Sequence, residues 1–118
     1  MSTEIDLAAL KKLKDLIGGE TEDLAELVED FVATFPTQVT SMHSEVAAED
    51  WSALRITAHT CKSNARDIGA TALFQKCAAL ELECENGMPH APDAQVAAIE
   101  EAGTMSIKAL QEVDLANV

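Results

Sequence analysis

His59 is the residue of this chain that is best placed for chemistry. At helical spacing, Arg55 precedes it by four positions, Lys62 follows it by three and Arg66 follows it by seven. These positions share one face of a helix. Since the chain has a net charge of −13, three cations beside one imidazole are a local exception. Such a site favours a negatively charged group, and phosphate is the leading candidate.

The apolar pattern around His59 predicts that its imidazole is exposed. The apolar seam of this helix contains Ala58 but not His59, so the ring is expected at the edge of the fold. Ser63, one turn later, is too small to shield the ring. A histidine on a helix is more often a passive surface residue, but an exposed neutral imidazole flanked by cations also suits a nucleophile.

A nucleophilic imidazole needs an acceptor for its Nδ1–H, because that bond leaves the Nε2 lone pair facing outward. Glu81 follows the seam residue Leu80 on the next predicted helix, on the flank that is expected to border the helix of His59. It is the natural candidate for this acceptor. From the residues alone, a solvated surface glutamate is an equally good interpretation.

Five amphipathic segments joined by short connections predict an all-α fold. We expect an antiparallel four-helix bundle with an additional short N-terminal helix that packs on its end or side. The predicted helices cover about residues 3–17, 22–46, 51–68, 70–86 and 93–113. Thr21 and Asp50 are predicted N-caps, Gly69 is expected to end the third helix, and Pro36 is expected to kink or interrupt the second.

The apolar residues of these segments recur at helical spacing. On the third helix they are separated by 3, 4, 3, 4 and 3 positions, which is typical of helices packed nearly parallel to their neighbours. The predicted core residues of the first, third and fourth helices are Leu7, Leu10, Leu13 or Lys14, Ile17; Trp51, Leu54, Ala58, Cys61, Ala65, Ile68; Leu73, Cys77, Leu80 and Cys84.

Composition narrows the class of protein. The 118 residues suit a single domain covering 1–118, and 3% aromatic residues favour helices over sheets. With 21 carboxylates against 8 lysines and arginines, a nucleic-acid or membrane-surface partner is not expected. There is no apolar run for a membrane span and no signal sequence at the N-terminus. The three cysteines occupy apolar helical positions, so we expect a reduced cytoplasmic chain without a metal site or cofactor.

An ordered set of motifs resembles the histidine phosphotransfer (HPt) domain family over about residues 5–87. It consists of Ala58-His59-Thr60-Cys61-Lys62-Ser63, then Ile68-Gly69-Ala70, then Leu80-Glu81. The chain departs from the family pattern where Ser63 replaces the usual Gly and Cys61 replaces a Leu or Phe.

The resemblance implies a role for each site residue. His59 would be the phosphorylated residue, Lys62 would lie beside the phosphoryl oxygens, and Glu81 would accept from the imidazole. Ser63 would let a partner approach the ring. Apart from the resemblance, the local positive charge predicts that Arg55 and Arg66 contribute to binding an acidic partner. The partners would be receiver domains of response regulators or hybrid histidine kinases, with phosphoryl groups passing between their aspartates.

Two other functions compete with a phosphorelay carrier. A bundle could dock a receiver or kinase without accepting phosphate, but it would not need His59, Lys62 and Glu81 together. A hydrolase with a His–Glu pair lacks a nucleophile and oxyanion donors. Because no glycine-rich nucleotide loop is present, we expect no phosphorylation from ATP. The small basic cluster of Arg55, Lys62, Arg66 and Lys76 favours a monomer with transient partners.

Overall fold

The computed structural model describes residues 5–118 and is helical throughout this range except at the turns and ends. The five α-helices are α1 (Leu7–Leu16), α2 (Thr21–Ala47), α3 (Trp51–Ile68), α4 (Thr71–Glu85) and α5 (Pro92–Glu112), and a 3₁₀ turn follows at Leu115–Asn117. The all-α prediction is confirmed. No helix in the described range is both long and apolar enough to cross a membrane.

Helices α2 to α5 form a bundle in which each helix packs against its neighbours. α3 contacts α2 and α4, and α5 closes the bundle by contacting α2 and α4. The connections at residues 48–50, 69–70 and 86–91 are short, so successive helices run antiparallel. Helix α1 lies against α2 and α3. The predicted four-helix bundle with an additional short N-terminal helix is confirmed.

The predicted seams of α3 and α4 form the centre of the core. Their buried residues are Leu54, Ala58, Cys61, Ala65, Ile68, Leu73, Cys77, Leu80 and Cys84. All three cysteines are free thiols inside this core. Because the seam of α3 faces inward at Ala58, the next residue, His59, is turned away from the core.

The turn between α3 and α4 determines how the two helices lie together. Gly69 ends α3 at φ 84°, a left-handed conformation that favours glycine. Its carbonyl oxygen accepts a 2.7 Å hydrogen bond from the backbone N–H of Asp6. A Cβ at position 69 would lie 2.6 Å from the carbonyl oxygen of Asp6. Only glycine therefore fits where the N-terminal segment crosses the turn.

The start of α1 and the exposure of Leu7 differ from the prediction. The predicted start near residue 3 lies outside the described residues, and α1 begins at Leu7 behind Asp6, whose side chain accepts from the backbone N–H of Ala8. Leu7, which was predicted in the core, is 56% exposed, and of the two alternatives Leu13 and Lys14 it is Lys14 that is buried. The Lys14 ammonium donates a 2.7 Å hydrogen bond to the carbonyl oxygen of Leu115, which satisfies part of its charge inside the fold.

Helix α2 also differs from the prediction at two positions. It runs through Pro36 without a break, and its N-cap is Glu20 rather than Thr21, with no side-chain capping bond. Pro36 is exposed while Phe35 and Val39 on either side of it are buried. The proline therefore removes a backbone bond only on the solvent side, and core packing holds the helix together.

Candidate functional site

His59 lies on the outer side of α3, facing α4. Its side chain is 56% exposed, and its Nδ1 lies 2.7 Å from Oε2 of Glu81. A carboxylate at that distance accepts a hydrogen bond, so Nδ1 carries the ring proton. In the neutral ring this tautomer has no proton on Nε2, and the Nε2 lone pair is free to react.

Glu81 joins the imidazole to a second side chain. Its other oxygen, Oε1, lies 2.6 Å from Nζ of Lys62 on α3, so a single carboxylate bridges an imidazole and an ammonium group. The side chain of Glu81 is only 9% exposed and that of Lys62 is 22% exposed. Glu81 is the one buried carboxylate among residues 5–118.

The charge of Glu81 is stabilised by these two partners. Burial by itself raises the pKa of the Glu81 carboxyl, but the hydrogen bonds and positive charge of Lys62 and His59 outweigh burial and hold that pKa below its usual value. The carboxylate therefore stays ionised and remains an acceptor for Nδ1–H. A buried charge with two partners avoids the cost of an unpaired one.

The three cations of α3 are not equivalent in the structure. Arg66 Nε lies 3.5 Å from Asp67 Oδ1 on the exposed surface. Arg55 is half-buried, and its positive charge acts on the thiol of Cys84. Burial raises the pKa of that thiol, and the charge of Arg55 offsets part of this rise. Lys62 is the cation in contact with the His59–Glu81 pair, and that carboxylate offsets its charge. The net positive charge beside the imidazole of His59 is therefore smaller than the helical spacing of the three cations indicated.

Close in sequence to His59 and Glu81 are one small residue and two exposed apolar residues. Ser63, one turn after His59, is half-buried. Ile56, one turn before His59, is 57% exposed, and Leu82, next to Glu81 on α4, is 58% exposed. Ile56 and Leu82 were not among the residues predicted for the site. The sequence signal that could have identified them is that both are large apolar residues outside the seams and close in sequence to His59 and Glu81.

The other two histidines lie apart from this site. His43 on α2 has its Nε2 3.4 Å from Glu100 of α5 in an exposed pair. His90 uses its backbone N–H, which donates a 2.7 Å hydrogen bond to Glu83. The structure therefore brings His59, Lys62 and Glu81 together and leaves His43 and His90 elsewhere.

Comparisons with known proteins identify a matching family and a similar fold. The family model described as the Hpt domain matches residues 26–113, a range that contains the three clustered residues. The fold is similar to a crystal structure of histidine-containing phosphotransfer protein B (HptB) from Pseudomonas aeruginosa PAO1, with a TM-score of 0.85 and 23% sequence identity over 95% of each chain. No curated protein sequence shows a significant match.

Proposed function

Because the chain belongs to the Hpt domain family, we propose that Nε2 of His59 carries a phosphoryl group between the aspartates of receiver domains. Members of this family are phosphocarriers in two-component signalling. The observation that carries the assignment to His59 is the 2.7 Å contact between Nδ1 and Glu81, which in the neutral ring leaves the Nε2 lone pair available on an exposed side chain.

The transfer step uses the lone pair of Nε2. It attacks the phosphorus of a receiver phosphoaspartate in line, so that an N–P bond forms and the aspartyl O–P bond breaks. The electron pair of the broken bond leaves with the aspartate carboxylate. The ring keeps its Nδ1 proton and gains positive charge, which Glu81 balances from 2.7 Å. Lys62 supplies an ammonium near the phosphoryl oxygens.

A receiver must cover the surface beside Nε2 to bring its aspartate within reach. Ile56 on α3 and Leu82 on α4 are close in sequence to His59 and Glu81 and offer exposed apolar area, and Ser63 is a small side chain one turn after His59. Arg55 and Arg66 place positive charge on an otherwise acidic protein, which suits the acidic pocket of a receiver. This surface therefore supports receiver docking.

The source of phosphate is proposed to be a receiver rather than ATP. The sequence has no glycine-rich phosphate loop of the G-x-x-x-x-G-K-[ST] type. The competing function is a bundle that docks a receiver without accepting phosphate. The Nδ1 contact and the exposed Nε2 favour the carrier, because docking alone needs neither.

The test is transfer of label from a phosphorylated receiver domain to this protein. We expect label that is acid-labile and base-stable, and we expect His59→Gln to abolish it. His43→Gln is a matched control, because His43 is also an exposed histidine beside a carboxylate. Label that persists in His59→Gln, or wild-type protein that binds the receiver but remains unlabelled, would refute the carrier function.

A further inference from the structure

We propose that Glu81 retains the proton on Nδ1 of His59 after phosphorylation and thereby keeps the phosphohistidine in its transferable form at neutral pH. This inference rests on the proposed function, since it requires phosphate on Nε2. Glu81 is then a positioning residue with two roles, because it holds the charge state of the phosphorylated ring as well as the tautomer of the free ring.

The chemistry of phosphohistidine explains why this proton matters. When the ring keeps its Nδ1 proton, breaking the N–P bond returns the electron pair to Nε2 and releases a neutral imidazole. When the ring has lost that proton, the same step must release an imidazolate, which is a much poorer leaving group. Acid lability of phosphohistidine follows from this difference. A group that holds the proton at neutral pH therefore keeps the phosphoryl group transferable.

The geometry of Glu81 suits the retention of this proton. Oε2 lies 2.7 Å from Nδ1, and the carboxylate is 9% exposed, so little water competes for the bond. Lys62, 2.6 Å from Oε1, stabilises the ionised carboxylate. The low pKa of Glu81 supports the same conclusion, since a weakly basic carboxylate leaves the proton on the ring. A hydrogen bond between opposite charges is roughly twice as strong as a neutral one.

The other charged groups near the ring do not replace Glu81. On α3 they are Arg55, Lys62 and Arg66, which oppose further positive charge on the imidazole. On α4 they are Glu81 and the exposed Glu85. The thiols of Cys61 on α3 and Cys77 on α4 are buried in the core. Across residues 5–118, no hydrogen bond or ion pair links His59 or Glu81 to α1, α2 or α5. Glu81 is therefore the carboxylate that balances a phosphorylated, protonated ring.

The experiment loads His59 chemically with phosphoramidate, so that no receiver is needed, and follows loss of phosphate across a pH series. The variants are Glu81→Gln, which keeps an acceptor for Nδ1–H but removes the charge, and Glu85→Gln, which removes a charge one turn away. We expect the midpoint of the pH profile to fall by about one unit in Glu81→Gln, with loss at neutral pH slowed roughly tenfold. Glu85→Gln should match the wild type.

Two results would overturn the inference. One is a Glu81→Gln profile that superimposes on the wild type, because an acceptor that only orients the ring is preserved by glutamine. The other is an equal shift in Glu85→Gln, which would reveal a general charge effect. Imidazole ¹⁵N resonances of the phosphorylated wild type provide a second measurement, and a deprotonated Nδ1 at pH 7 would contradict the proposal. If the pH profiles behave as expected but no receiver transfers phosphate to His59, the proposed function alone would be refuted.

Discussion

Replacing Gly103 by alanine is expected to destabilise the bundle. Gly103 lies in the middle of α5 and is buried against the ring of Phe35 on α2. A Cβ at position 103 would overlap the ring, lying 2.6 Å from Cε1 and closer still to Cζ and Cε2. The ring of Phe35 therefore occupies the space that a side chain at position 103 would need. The substitution forces the two helices apart or forces the ring to move.

The size of the effect follows from three contributions. Overpacking a core costs about 1–3 kcal/mol. The ring of Phe35 is 3% exposed and stacks on Phe31 with centroids 6.1 Å apart, which limits its escape, although an open groove of about 290 Å³ beside it allows some movement. Alanine in place of glycine gives back about 1 kcal/mol of helix propensity. Because the ring is confined, the upper part of the overpacking range applies, about 2–3 kcal/mol, and after the gain in propensity the net loss should be about 1–2 kcal/mol, or roughly 4–10 °C in Tm.

Thermal and urea denaturation followed by circular dichroism would measure this loss. Thr104→Ala is the control, because Thr104 is exposed on the same helix and should change stability by less than about 0.5 kcal/mol. Phe35→Leu should cost less in the Gly103→Ala background than in the wild type, since a smaller side chain relieves the overlap. An unchanged or higher Tm for Gly103→Ala would refute the packing argument.

Three further predictions concern the site and its supporting helices. Lys62→Ala should slow transfer from a receiver roughly tenfold or more while helical circular dichroism is retained, and an unchanged rate would remove Lys62 from the reaction. Ser63→Leu should block transfer from a receiver but not loading by phosphoramidate, because only the receiver must approach over the helix; equal loss of both would contradict this. Glu45→Gln should stabilise the protein at pH 7 by urea denaturation. Burial raises the pKa of Glu45 despite the hydrogen bond from Thr57, so the stability contributed by the protonated carboxyl is lost as pH rises through its folded pKa. The gain in Glu45→Gln should shrink in acid, and a gain that persists unchanged below about pH 4 would count against this explanation.

The helical seams were predictable because they depend on local spacing. Leu54, Ala58 and Cys61 recur at helical period, and burying them determines which way His59 points. The cap at Asp50 and the stop at Gly69 were also predictable, since both act within a turn of their own residue.

Other features depended on contacts between distant segments. Lys14 is buried because the carbonyl of Leu115 meets its ammonium, and no local pattern indicates that partner. Pro36 leaves α2 unbroken because packing on both sides outweighs one lost backbone bond. Gly103 occupies a position where the sequence shows only a gap in the apolar pattern of α5.

The sequence by itself determined that His59 is an exposed imidazole on an amphipathic helix with basic neighbours, because helical period is a local property. Only the tertiary structure decided that Glu81 is buried against Nδ1 and shares its carboxylate with Lys62. That contact joins residues 22 positions apart. It depends on the register of α3 against α4, which the turn at Gly69 and the packing of both seams establish together. The sequence therefore overestimated the positive charge around the ring. Helical spacing shows which cations are near His59, but it does not show that Glu81 neutralises Lys62.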